Sequence, residues 1–149
     1  MRNRRVFLWV VLAMMATAVL AQTAARSKPA PDATPIVGVW RAQMDGLPYV
    51  ALVVTDESGS LMGAIQFYLI HRPEGQPVTA TPGLPEPMFN LQFDGKTLTF
   101  QVSHRRAHPP RSLKDPPVTF QLTMTGANRG EAKIVNDASS VLTMARSEY

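Results

Sequence analysis

The chain has 149 residues and no cysteine, and beyond Leu20 it contains no long apolar run and no convincing helical period. The missing cysteine excludes a disulfide framework, so the fold has to rest on its hydrophobic core. Thiol chemistry is excluded with it. No Gly-x-Ser-x-Gly elbow, phosphate-binding glycine loop or carboxylate pair offers a start for another reaction. Ser103 beside His104 is an adjacency only, because neighbouring strand residues face opposite sides. The expectation is a protein that is not an enzyme and carries no cofactor.

What is present begins with an address. Arg2, Arg4 and Arg5 precede an uncharged run from Val6 to Leu20, which ends in Ala16, Ala18 and Ala21. This is the tripartite pattern of a signal peptide, with Val19 and Ala21 at the −3 and −1 positions of a cleavage site after Ala21; cleavage after Ala24 is the second choice. The run is about 15 residues, short of the roughly 20 that span a bilayer. Three of the 15 basic residues would leave with residues 1–21, so the formal charge of +4 falls to +1 and a nucleic-acid partner loses its electrostatic support. No lipid-attachment cysteine follows the leader, so the expected product is soluble, exported to the periplasm or medium, without stable membrane insertion.

Residues 22–35, QTAARSKPAPDATP, read as a flexible linker. From residue 36 to 149 the pattern is a single domain of short β-type runs: 36–44, 49–56, 61–72, 89–94, 97–105, 118–125, 131–136 and 141–147. Phe89, Leu91 and Phe93 alternate with polar neighbours, as do Leu98, Phe100 and Val102, then Val118, Phe120, Leu122 and Met124. Period two with aromatic and β-branched residues marks strands with one buried face.

Connections alternate in length. Glu57-Ser58-Gly59-Ser60, Asp94-Gly95-Lys96 and Gly126–Gly130 are tight, whereas 73–88 and 106–117 are long and proline-rich. In an up-and-down meander the tight turns fall at one pole and both long loops at the other, with the prolines beyond the linker in loops at that second pole. The predicted fold is an all-β, up-and-down antiparallel barrel of about eight strands, with a β-sandwich as the alternative.

Gly38-Val39-Trp40 on the first strand matches the Gly-x-Trp of lipocalin barrels, and Arg146 on the last sits where many calycins pack an arginine over that tryptophan. The chain therefore resembles a calycin, the superfamily of lipocalins, avidins and fatty-acid-binding proteins, and is similar to exported bacterial barrel domains of uncharacterised type. The resemblance implies structural roles for Gly38, Trp40 and Arg146 and a ligand-holding interior. The disulfides, terminal helix and helical lid of various calycins are absent, and Trp40, alone after cleavage, does not furnish an avidin-type pocket.

Strand phase carries Ile65, Phe67, Leu69 and His71, and likewise Phe100, Val102 and His104, to the inner face near the long-loop pole. An apolar pocket with a few polar groups at its rim is the usual form of a small-ligand site. The expected site comprises Phe67, Leu69, Phe100, Val102, Phe120 and Leu122 for an apolar tail, with His71, Arg72, His104 and Arg106 at the mouth for an anionic head. The surrounding segments set Arg72, Arg105, Arg106, Arg111 and Lys114 against Glu74, Glu86 and Asp115. The partner is thus a hydrophobic or anionic small molecule. Two alternatives stand beside it. One is a protein-interaction module using Thr79–Pro87 with Leu84, Met88 and Phe89; the other is a metal site of His71, His104 and His108, although no metal is expected.

Overall fold

The structure is a computed structural model describing residues 31–104, 111–137 and 139–147. The expected signal peptide, residues 22–30 of the linker, and Arg105, Arg106 and His108 lie outside the described residues. Among the described residues there is no helix. The strands are β1 (Gly38–Met44), β2 (Leu47–Glu57), β3 (Ser60–His71), β4 (Thr79–Pro82), β5 (Glu86–Pro87), β6 (Phe89–Phe93), β7 (Thr97–Val102), β8 (Val118–Gly126), β9 (Arg129–Ile134) and β10 (Leu142–Ser147).

All pairings are antiparallel, and the strands form one path, β4-β3-β2-β1-β10-β9-β8-β7-β6, with β5 beside β3. The sheet curls into a half-barrel, so the two-sheet sandwich does not describe it. Its ends are linked directly by the chain: Pro87 pairs with Ala64 on β3, the Met88 N–H donates to the Gly63 carbonyl at 2.9 Å, and Phe89 pairs with Gln101 on β7.

Alternation along each strand turns one side chain in two onto the concave face. Trp40, Leu52, Val54, Leu98, Phe100, Leu122 and Met144 are all essentially inaccessible there. At roughly 1.5–3 kcal/mol for each fully buried large apolar side chain, this face is the main source of stability in a chain without disulfides. Trp40 lies at its centre and donates its indole N–H to the Ile36 carbonyl at 2.9 Å. Gly130 makes room for it, since a Cβ there would lie 2.9 Å from Leu122 Cδ1 and 3.4 Å from the indole.

Trp40 and Arg146 are direct register partners across β1 and β10, which brings the three residues of the resemblance to one pole. The Arg146 guanidinium donates to the Pro35 carbonyl at 3.2 Å, and its Nε lies 2.9 Å from where a Gly38 Cβ would stand. Gly38 also holds φ at 139°, so the position requires glycine on two counts. Arg146 thus ties the segment before β1 to the last strand, and no stacking on the indole is among its described contacts.

Several sequence expectations are corrected. Thr34 and Pro35, expected at the end of the linker, form a turn with Ile36: Asp32 Oδ1 accepts from the Thr34 N–H at 2.9 Å, and Ile36 N–H donates to the Ala33 carbonyl at 3.0 Å. Ile36 is fully buried, so the hydrophobic contact of this turn, rather than strand pairing, fixes it. The long segment 73–88 contains β4 and β5, and Pro48, Pro82 and Pro87 sit in strands. Pro48 follows the register shift between Ala42 and Gln43, and Pro82 and Pro87 line the outer edge of β3, where a missing N–H is tolerated.

The turns behave as their sequences require. Asp94 Oδ1 accepts from the backbone N–H groups of Thr97 and Lys96 at 2.7 and 2.8 Å, while Gly95 takes φ 99°. Those donors, Thr97 foremost, hold the Asp94 carboxyl below the usual value of 3.8. A depressed folded-state value means that its stabilisation is fully present above 3.8 and is lost as pH falls through the lower, folded-state value. Asp94→Ala is therefore expected to melt below the wild type at neutral pH, with the gap closing under acid conditions. Thermal unfolding across that pH range measures it, and a gap independent of pH contradicts the assignment.

Candidate functional site

The concave face is divided. Towards the pole of the tight turns it is filled by Trp40, Val54, Leu98, Leu122 and Met144; towards the other it forms a cavity of about 420 Å³ that is open to solvent. The wall is drawn mainly from strand ends at the long-loop pole, with Leu52 and Ile65 reaching it from mid-strand: Met44 closes β1, Tyr49 and Val50 open β2, Phe67 lies late in β3, and Leu142 opens β10. A void of this size falls within the range of small-ligand pockets.

Aromatic rings shape one side. Phe100 and Phe120, register partners on β7 and β8, stack with centroids 5.5 Å apart and planes 9° from parallel. Phe67 tilts against Phe120 at 6.2 Å, and the His104 ring lies 4.7 Å from Phe67 and edge-on to Phe120 at 6.1 Å. His104 follows the end of β7 with φ 57°, a left-handed conformation that few non-glycine residues adopt, and its ring forms part of the cavity wall.

Behind His104 lies a buried carboxylate. Glu86 is 2% exposed, and its Oε1 is 3.3 Å from His104 Nδ1. Its Oε2 is buried with no hydrogen-bond partner among the described residues. Glu86 is the register partner of Ile65, a wall residue, so both side chains sit on the concave side of the sheet. Glu86 itself is not part of the wall, whereas its partner His104 is.

Of the expected ligand residues, the cavity brings together Phe67, Phe100, His104 and Phe120. Val102 and Leu122 are buried in the core away from the wall. Leu69, His71 and Arg72 stand outside it. The last pairing between β2 and β3 is Val50 with Phe67; beyond it β3 pairs only with β4, forming a two-stranded extension past the curled sheet. Leu69 is consequently 48% exposed, His71 is exposed, and Arg72 forms a surface ion pair with Asp45 at 2.7 Å. Arg111 faces Asp115 at 4.0 Å, so the described arginines flanking the long loops are engaged with acids at the surface. Arg106 lies outside the described residues, as does His108, and among the described residues no three metal-ligating side chains converge.

Two contributions escaped the sequence reading. Tyr49, Ser139, Ser140 and Val141 complete the rim, although Ser140 is committed to the turn, accepting from the Ile134 N–H at 2.8 Å and donating to the Asp137 carbonyl at 2.9 Å. Glu86 was visible only as a loop charge. Its signal is the phase of Glu86-Pro87-Met88, in which the first and third residues are buried and the proline between them is exposed. No protein-family model and no curated protein matches the chain.

Removing His104 would leave both Glu86 oxygens buried without a partner, a penalty larger than the loss of one surface contact. His104→Ala is expected to cost about 2–4 kcal/mol in urea unfolding, and the double variant His104→Ala/Glu86→Leu to recover part of it. Additive losses in the double variant would show that the two side chains are not coupled.

Proposed function

We propose that the protein binds a small hydrophobic or amphiphilic molecule inside a calycin-like, up-and-down barrel of about eight strands, and that it does so after export as a soluble, cleaved protein. The cavity of about 420 Å³, walled by Val50, Leu52, Ile65 and the three phenylalanines, carries this reading. Its apolar wall favours transfer of an apolar body from water, and at roughly 25 cal/mol per Å² buried a modest molecule gains several kcal/mol. The barrel assignment draws support from the β1–β10 pairing and from the meeting of Gly38, Trp40 and Arg146 at one pole. The anionic head expected at Arg72 now lacks that support, because the guanidinium is bound to Asp45 outside the cavity. Catalysis is not part of the proposal.

A polarity-sensitive neutral dye, N-phenylnaphthylamine, tests it. Saturable binding of one dye per chain is expected. Ala132, a small wall residue, offers a way to fill the void: Ala132→Phe should abolish binding, whereas Leu69→Ser on the outer extension should leave it within about twofold. Dye binding unchanged by Ala132→Phe would locate the dye elsewhere and refute the reading.

A further inference from the structure

We propose that Glu86 and His104 act together as the head-group receptor of this cavity, and that the ligand they select is an apolar carboxylic acid. The inference rests on the cavity-binding reading and specifies the chemistry of its occupant.

Four observations lead there. The imidazole forms part of an otherwise largely apolar wall, packed against Phe67 and Phe120. Its backbone holds φ 57°, a left-handed conformation, beside the cavity. Its Nδ1 is turned to a carboxylate that is 2% exposed. That carboxylate keeps one oxygen without a hydrogen bond among the described residues, an arrangement that costs stability and that an apolar residue in its place would avoid.

With Nδ1–H donated to Glu86, Nε2 is the ring nitrogen left for a ligand. A carboxylate behind an imidazole fixes its tautomer and leaves Nε2 as the acceptor. A carboxylic acid entering the cavity can pass its O–H proton to Nε2. The acid O–H bond breaks, the Nε2–H bond forms, and the product is a ligand carboxylate hydrogen-bonded to an imidazolium that Glu86 stabilises from the far side. No oxidant or other reactant is needed. A cationic ligand finds no comparable partner: no Asp or Glu forms part of the wall, and the buried Glu86 oxygen is inaccessible. Of the other titratable wall residues, Lys133 pairs with Gln121 on the outward-facing phase of β9, and Tyr49 lies across the wall on β2. Glu86 is accordingly a positioning residue and His104 the contact residue.

Displacement of bound N-phenylnaphthylamine by decanoic acid and by decanol, which share an apolar chain and differ in the head, separates this from a merely structural role. The wild-type protein is expected to prefer the acid by about tenfold or more, the scale of one charge-assisted hydrogen bond. In Glu86→Gln and in His104→Phe the preference should fall towards unity, each variant's displacement by acid and by alcohol being read against its own dye affinity. Equal displacement by acid and alcohol in the wild type, or an unchanged preference in both variants, overturns the assignment but leaves the cavity reading intact. Failure of the wild-type protein to bind the dye overturns the cavity reading itself. Should Glu86→Gln not fold, the wild-type preference and His104→Phe still decide the matter.

Discussion

The pairing of β1 with β10 is the contact on which the rest of the architecture depends. Most other strand neighbours are successive along the chain, joined by hairpins whose closure is local. Trp40 and Arg146, by contrast, meet from near the two ends of the folded unit. Without that pairing the hairpins would form an open ribbon with Trp40 on an exposed edge; with it, one apolar face is turned inward on itself. The entropy of closing so long a loop grows only logarithmically with length, so a single ladder of backbone bonds and one buried indole can offset it.

Arg146 reinforces that closure in a way specific to its surroundings. A guanidinium at the end of the last strand lies over Gly38 and reaches the carbonyl of Pro35, so first strand, last strand and preceding turn are locked by one side chain. The turn in turn buries Ile36, whose carbonyl accepts the indole N–H. The filled pole is thus a cooperative unit, and rigidity there allows the opposite pole to keep a void. An apolar cavity lowers stability by leaving its wall without partner atoms, which makes a well-packed counterweight necessary in a protein with no covalent staple.

Much of this was legible in the alternation of residues. Leu98-Phe100-Val102 and Val118-Phe120-Leu122 declare their buried face because period two has one structural meaning, and Asp94-Gly95 declares its turn because only a few residue types take its dihedral angles. What periodicity does not encode is where a strand loses its neighbour. Ile65, Phe67, Leu69 and His71 share one phase, yet the first two are enclosed and the last two exposed, since β2 stops pairing at Val50 while β3 continues beside β4. Prolines concealed β4 and β5 for a related reason. They break the apparent pattern of a strand while remaining compatible with the one edge that needs no N–H.

Glu86 is the residue that packing alone does not account for. It occupies the same inward phase as Met88, two residues on, which fills the core against Gly63 so tightly that a Cβ on that glycine would collide with it. A methionine or leucine at position 86 would satisfy the same geometry without desolvating a carboxylate, and replacing buried charges by apolar groups is often neutral or stabilising. The sequence nonetheless carries an acid there, beneath a histidine whose backbone is bent into the left-handed region beside the cavity. The buried acid and the left-handed backbone, one of five non-glycine positive-φ positions among the described residues, both bear on one ring. A requirement of the fold would be expected to spread along the strand; a requirement confined to a single imidazole is what the proposed receptor for a ligand head group demands.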